Sequence, residues 1–255
     1  MHSISLFFTA LCALLLSLPS AAAERILRVA WDDYPPYQIA PDGAQPGIDM
    51  EIVQAMAEHA GYRVQFLKLP WSRQLLLLKQ GGLDMAMSAS KSPERARYVV
   101  WTEAYRPERV ALMAVDGRAP KVASLRSLLA RPVRIGVIRD SVYGGEYGAL
   151  LGTPAFVQRL EFTHVNTLNL RKLYAGRLDY LIDDPVTIQH QAQQLGGARL
   201  VQALEINRAP VYFMLGKPAL AQQPGLLTRL NRGLAELRRS GQLRAIFARY
   251  GVAAD

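Results

Sequence analysis

Cysteine is almost absent from these 255 residues: Cys12 is the single one. It lies within an apolar stretch near the start, so the rest of the chain has no thiol nucleophile, no disulfide and no cysteine-based metal site. Histidine is also scarce, and His2, His59, His164 and His190 show no metal-ligand spacing. No metal or other cofactor is therefore expected. Apolar runs are short: residues 4–18 fall below the roughly 20 residues that a transmembrane helix needs. Basic residues outnumber acidic ones by 30 to 21, a net charge of +9, yet no basic run is interleaved with aromatics. Nucleic acid is thereby excluded as a partner. The densest cluster (Arg229, Arg232, Arg238, Arg239, Arg244 and Arg249) reads as a solvated basic face, with attraction to an anionic ligand or a membrane surface as the alternative.

The first residues are read as a leader. The apolar stretch ends at Leu18-Pro19-Ser20, and Ala21-Ala22-Ala23 supplies the small residues of a cleavage site. This is the pattern of a secretory signal peptide, although Met1-His2-Ser3 carries no basic residue. Cleavage after Ala23 would leave 232 of the 255 residues, enough to bury a core without disulfides. Export without disulfides suits the bacterial periplasm.

Beyond the leader, strand and helix patterns alternate. Residues 26–31 alternate as a strand, and Asp32-Asp33-Tyr34-Pro35-Pro36-Tyr37 must be a loop because two prolines stop a ladder or a helix. A helix runs from Gly47 to about Ala60, with Ile52, Val53 and Met56 on one face. Within it Asp49 reads as an N-cap and Glu51 as a favourable first-turn charge. Residues 62–69 form a strand, 71–80 a helix, and the strand beginning at Leu83 runs into Ser88, Ser90, Ser92, Pro93, Glu94 and Arg95. Ser92 before Pro93 predicts a helix start. Free N–H groups, hydroxyls and the Arg95 guanidinium there suit a small anion. The pattern then restarts: strands at 133–138, 156–162, 178–182 and 210–215, a helix capped by Asp140-Ser141, another opened by Asp183-Asp184-Pro185, and helices over 224–239 and 242–250. Residues 111–115 and 211–215 bracket the second unit like a pair of crossing strands. Two α/β units joined by two strands make a clamp with loops facing a shared crevice.

Several motifs carry a resemblance in this order: Leu27-Arg28-Val29-Ala30 with Tyr34-Pro35-Pro36-Tyr37, Gly47-Ile48-Asp49-Met50-Glu51, Gly82-Leu83-Asp84 with Ser92-Pro93-Glu94-Arg95, Gly176-Arg177-Leu178-Asp179, and Gly241-Gln242-Leu243 before Tyr250-Gly251. Over nearly all of residues 26–250 the chain resembles the bacterial periplasmic solute-binding proteins of the polar amino-acid family, the soluble receptors of ABC importers. The resemblance implies the α/β two-lobe periplasmic-binding-protein fold of type II, each lobe a mixed sheet flanked by helices and joined by two hinge strands. Lobe 1 is expected over 24–113 and 213–255, and lobe 2 over 114–212. It further implies that Arg95 pairs with the α-carboxylate of an amino acid. Ser88 and Ser90 assist from the same lobe, although a spacing one residue shorter than the family's leaves Ser90 or Ala89 at the contact. Tyr34 and Trp71 match the positions that sandwich the ligand side chain, and Ser141 matches a hydroxyl near the carboxylate. For the aspartate that receives the α-amino group, counting gives Asp184 and alignment on the proline gives Asp183. Arg73 is open between a second cation of the cleft and a helix-surface residue.

These expectations describe a monomeric periplasmic receptor that closes over an amino acid or related small carboxylate and hands it to an inner-membrane ABC permease. Nothing has the layout of a catalytic set, so no catalytic residue is named. The rival classes are an enzyme similar to cyclohexadienyl dehydratases on the same scaffold, and a detached sensor module.

Overall fold

The computed structural model describes residues 25–118, 120 and 122–253; the expected leader and its cleavage site lie outside them. In lobe 1, β1 (Ile26–Trp31) runs parallel to both β2 (Arg63–Lys68) and β3 (Met85–Ala89). Helices α1 (Ile48–His59) and α2 (Trp71–Gln80) make the crossovers. In lobe 2, β6 (Ile135–Ile138) lies between β7 (Leu160–Thr163) and β8 (Tyr180–Asp183), parallel to both. Around it pack α3 (Gly145–Leu150), α4 (Pro154–Val157), α5 (Asn166–Tyr174) and α6 (Pro185–Gln194).

Two long strands join the lobes. β9 (Leu200–Gly216) pairs antiparallel with β5 (Arg106–Val115) through Val211, and its last residues pair with β3 and with β4 (Val99–Trp101). The pairing differs from the expected one: residues 111–115 lie against residues 200–205, whereas Tyr212 to Gly216 belong to the first lobe's sheet. At the crossing Pro107 faces Pro210. Neither can donate to the ladder, so the strands are least tied together where the chain passes between lobes. The sequence shows only the end of β9 because its first half alternates with outward polar residues such as Gln202, Glu205 and Asn207. Three C-terminal helices, α7 (Lys217–Gln222), α8 (Leu226–Arg239) and α9 (Gln242–Arg249), close the chain.

Successive strand residues point to opposite faces, and here both faces are covered. Val29, Phe213 and Leu215 join the core beneath α1, α8 and α9, while Ala30, Met214 and Val99 pack on the α2 side. Lobe 2 repeats the scheme, with Leu112, Val137 and Ile182 on one face and Met113, Leu181 and Ile188 on the other.

Three local expectations give way. No α-helix follows Ser92; a 3-10 turn over Arg95–Arg97 is all that fits before β4 resumes at Val99. Glu94 holds its N-cap position, and Ser92 Oγ accepts the Arg95 N–H at 3.2 Å from outside the turn. Asp140 and Ser141 do not cap α3, which begins after Gly144; Asp140 instead adopts φ 64°, turning the chain sharply after β6. Phe156 is helical, in α4.

Candidate functional site

The cleft between the lobes encloses about 880 Å³ of free space, counted out to its mouth. Of the residues expected there, Tyr34, Trp71, Ser88, Ser90, Arg95, Ser141, Asp183 and Asp184 line it. Arg73 does not: it is exposed on α2, a helix-surface residue. The lobes are drawn together over the cavity. Arg95 NH2 and Trp71 Nε1 both donate to the Asp140 carbonyl, at 2.8 and 3.2 Å. Ser72 Oγ and His164 Nδ1 hydrogen bond at 3.1 Å, and Gln191 Nε2 reaches the Asp33 carbonyl at 3.3 Å.

Arg95 is the cation at one end. It is 4 % exposed, its guanidinium sits 5.1 Å from the Trp71 ring, and NH1 donates to the Ser90 carbonyl at 3.0 Å. Both protein acceptors are neutral carbonyls, and among the described residues it forms no ion pair. Burial accordingly lowers its proton affinity. A guanidinium has five N–H donors, so capacity remains for a carboxylate. Beside it, the Ser90 hydroxyl makes no hydrogen bond among the described residues, which leaves it free for the same oxygen atoms. Ser141 faces the same region from the turn after β6.

Ser88 is held differently. A bulge in the β3–β9 ladder puts it at φ 51°, and its N–H donates to the Tyr105 hydroxyl at 3.1 Å. Its Oγ donates to Asp49 and accepts from Gln38 Nε2 at 3.2 Å and Arg106 NH2 at 3.0 Å. One donor and two lone pairs are then all in use. The Ser88 hydroxyl thus serves a buried network that the sequence did not reveal.

Asp49 is the centre of that network. It is not the cap of α1, since Gly47 holds the N-cap position; it is fully buried beneath the hinge. Arg106 Nε donates to Asp49 Oδ1 at 3.2 Å, and the Tyr105 hydroxyl donates to Oδ2 at 2.6 Å. The Arg106 guanidinium lies 3.6 Å from the Tyr37 ring centre, and its proton affinity is raised well above normal, with Asp49 foremost among the charges that offset burial. Glu51, by contrast, holds the C-terminus through Arg249 and the Tyr250 hydroxyl.

Acids collect at the hinge side of the cavity. Asp184 caps α6, its Oδ1 accepting from Val186 N at 2.7 Å and Thr187 N at 3.3 Å. Asp183 accepts the Asp184 N–H at 2.7 Å. Both line the cavity, so the geometry does not choose one over the other. Burial raises both, Asp183 to about 8. The residue missed by the sequence is Glu108. It lines the cavity, accepts the Tyr34 hydroxyl at 3.2 Å, and burial lifts it to about 7 although Arg106 lies 3.8 Å away. A signal was present: Glu108 and Val110 are alternate residues running into an apolar strand, and so share its cleft-facing side.

The cleft thus carries a cation at one end and carboxylates at the other. The bacterial extracellular solute-binding proteins, family 3, match residues 27–253, and the chain belongs to that family. It is 29 % identical over 185 residues to an L-arginine-binding protein of Pseudomonas aeruginosa, covering 71 % of this chain and 69 % of the relative. A probable histidine-binding protein of Neisseria gonorrhoeae is 23 % identical, covering 91 % and 85 %. Among solved structures, a histidine kinase sensor domain with similarity to periplasmic binding proteins superposes with a TM-score of 0.76 at 28 % identity, covering 89 % of this chain and 96 % of that one.

Proposed function

We propose that this protein is a monomeric periplasmic receptor that binds an amino acid between its lobes and delivers it to an ABC-type inner-membrane importer. The observation that carries the reading is Arg95, a buried cation with no counter-ion among the described residues, in a cavity whose far side is acidic. A ligand α-carboxylate supplies the missing charge, assisted by the Ser90 hydroxyl and by Ser141. The α-ammonium group meets Asp184 or Asp183, and Tyr34 flanks the side chain. Trp71 supports the site by stacking on Arg95. The names of the arginine- and histidine-binding relatives support an amino acid as ligand. Burying both ends of a zwitterion against fixed partners gives specificity as well as affinity.

Calorimetry with a panel of free amino acids tests this. A Kd of about a micromolar, roughly −8 kcal/mol, is expected, with one ligand per chain recovered chemically unchanged. Arg95→Ala should weaken it by at least ~2 kcal/mol, about 30-fold, because a desolvated charge pair is lost. Undiminished binding by that variant would refute the assignment, and a transformed ligand would point to an enzyme. The likeness to a kinase sensor domain favours one second reading, a binding module that signals. Ligand uptake lost on deletion of the gene separates transport from signalling.

A further inference from the structure

The cavity holds more negative charge than a zwitterion can use. A zwitterion engages Arg95 with its carboxylate and one aspartate with its ammonium group. Arg106 offers no further cation, because Asp49 already neutralises it at 3.2 Å with both side chains almost fully buried. Two of the three hinge-side carboxylates are then left over. Asp183 is 7 % exposed; the Asp184 N–H donates to its Oδ1 at 2.7 Å, and the Tyr34 hydroxyl also faces it. The Glu108 side chain is 11 % exposed and receives the Tyr34 hydroxyl on Oε1. Both carboxylates line the cavity; Glu108 shares Arg106, 3.8 Å away, with the closer Asp49, and Asp183 forms no ion pair among the described residues. An unpaired buried carboxylate is costly, and a site for an uncharged side chain is better served by apolar or amide groups.

We propose that Glu108 and Asp183, with Tyr34 between them, form a second cation-reading subsite, so that the preferred ligand carries two positive charges and one carboxylate: a dibasic amino acid. This deepens the receptor reading and rests on it. Without ligand the pair escapes its mutual repulsion by holding protons, as burial keeps Glu108 near 7 and Asp183 near 8. The groups that face the pair are Tyr34, Arg106 and Asp184, with Tyr143 against Asp183, Asp49 behind Arg106 and Arg109 beyond Asp184. A ligand cation entering among them displaces protons and takes over their role. Either a side-chain ammonium or a guanidinium group satisfies this chemistry.

The test is calorimetry on the full-length mature protein with lysine, ornithine and arginine beside the uncharged analogues norleucine and citrulline. The wild type should prefer the cationic member of each pair by roughly 30-fold or more, the size of a desolvated charge contact. Glu108→Gln and Asp183→Asn, which keep shape, should each cut that preference about tenfold, and in Glu108→Gln the uncharged analogues should bind as well as before or better. Repeating the wild-type titration in buffers of different ionisation enthalpy should show protons released on binding of the cationic ligands and not of the uncharged ones. Lysine with ornithine against arginine reports which cation fits. Equal binding of charged and uncharged analogues by the wild type overturns the subsite and leaves the receptor reading standing. So does a preference unmoved in both variants. Failure of every amino acid to bind overturns both.

Discussion

Replacing Asp49 with Asn should be among the most damaging isosteric changes available to this chain. Asp49 is fully buried and faces Arg106, whose side chain is 1 % exposed, across 3.2 Å. Removing the negative charge leaves a buried guanidinium without its partner, which costs about 3–5 kcal/mol. The amide also cannot replace the hydrogen bonds. Arg106 donates to Oδ1, while Tyr105 and Ser88 donate to Oδ2, so the carboxylate accepts from both sides. An asparagine presents one acceptor and one donor, and its NH2 must point at another donor. For a chain of this size the loss corresponds to a fall in Tm of roughly 6–20 °C. Urea denaturation of the wild type, Asp49→Asn, Arg106→Met and the pair Asp49→Asn/Arg106→Met completes a double-mutant cycle. The pair should recover much of the loss, since replacing both partners removes the uncompensated charge. The cost should reach the cleft too, because Arg106 lies 3.8 Å from Glu108 and, released from Asp49, would draw that acid toward its ionised form. A loss below about 1 kcal/mol in Asp49→Asn would refute the claim that this pair anchors the hinge.

Two further outcomes are expected. Glu108 and Asp183 hold protons to about 7 and 8 in the folded protein, whereas unfolded carboxyls release them near 4. The native state therefore binds more protons between these values, and this part of the stability is fully present below pH ~4 and lost as pH rises through 7 and 8. Denaturation midpoints of the ligand-free protein from pH 5 to 8 should fall more steeply than those of a Glu108→Gln/Asp183→Asn variant; parallel profiles would contradict the burial argument. Intact-mass measurement of exported protein should give a chain beginning at Glu24, and retention of Met1 or a lipid on Cys12 would rule out the leader as read.

The sequence by itself made most elements legible, along with the motif residues of the candidate site. Alternation in β1 and β6, the apolar face of α1, and the Pro185 start of α6 are local signals, complete within a dozen residues. The same holds for Arg95 in its polar turn and for Asp184 before Pro185, both of which lie in contiguous motifs. Even so, local chemistry overreached where space ran out, as after Ser92, where only a 3-10 turn fits because β4 begins at Val99.

What only the tertiary structure decided is which polar groups remain available to a ligand. Ser88 resembled a ligand contact, yet its hydroxyl is consumed by Asp49, Gln38 and Arg106. Arg73 resembled a second cation, yet the rotation of α2 about its axis leaves it exposed. Glu108 drew no notice in the sequence, yet it meets Tyr34 in the cleft. The partners in these networks are far apart in the chain, 57 residues for Asp49 and Arg106 and 74 for Tyr34 and Glu108. Periodicity and capping encode how each segment folds onto itself. Which buried charge neutralises which depends on how sheets and lobes come together, and desolvation then makes that choice decisive.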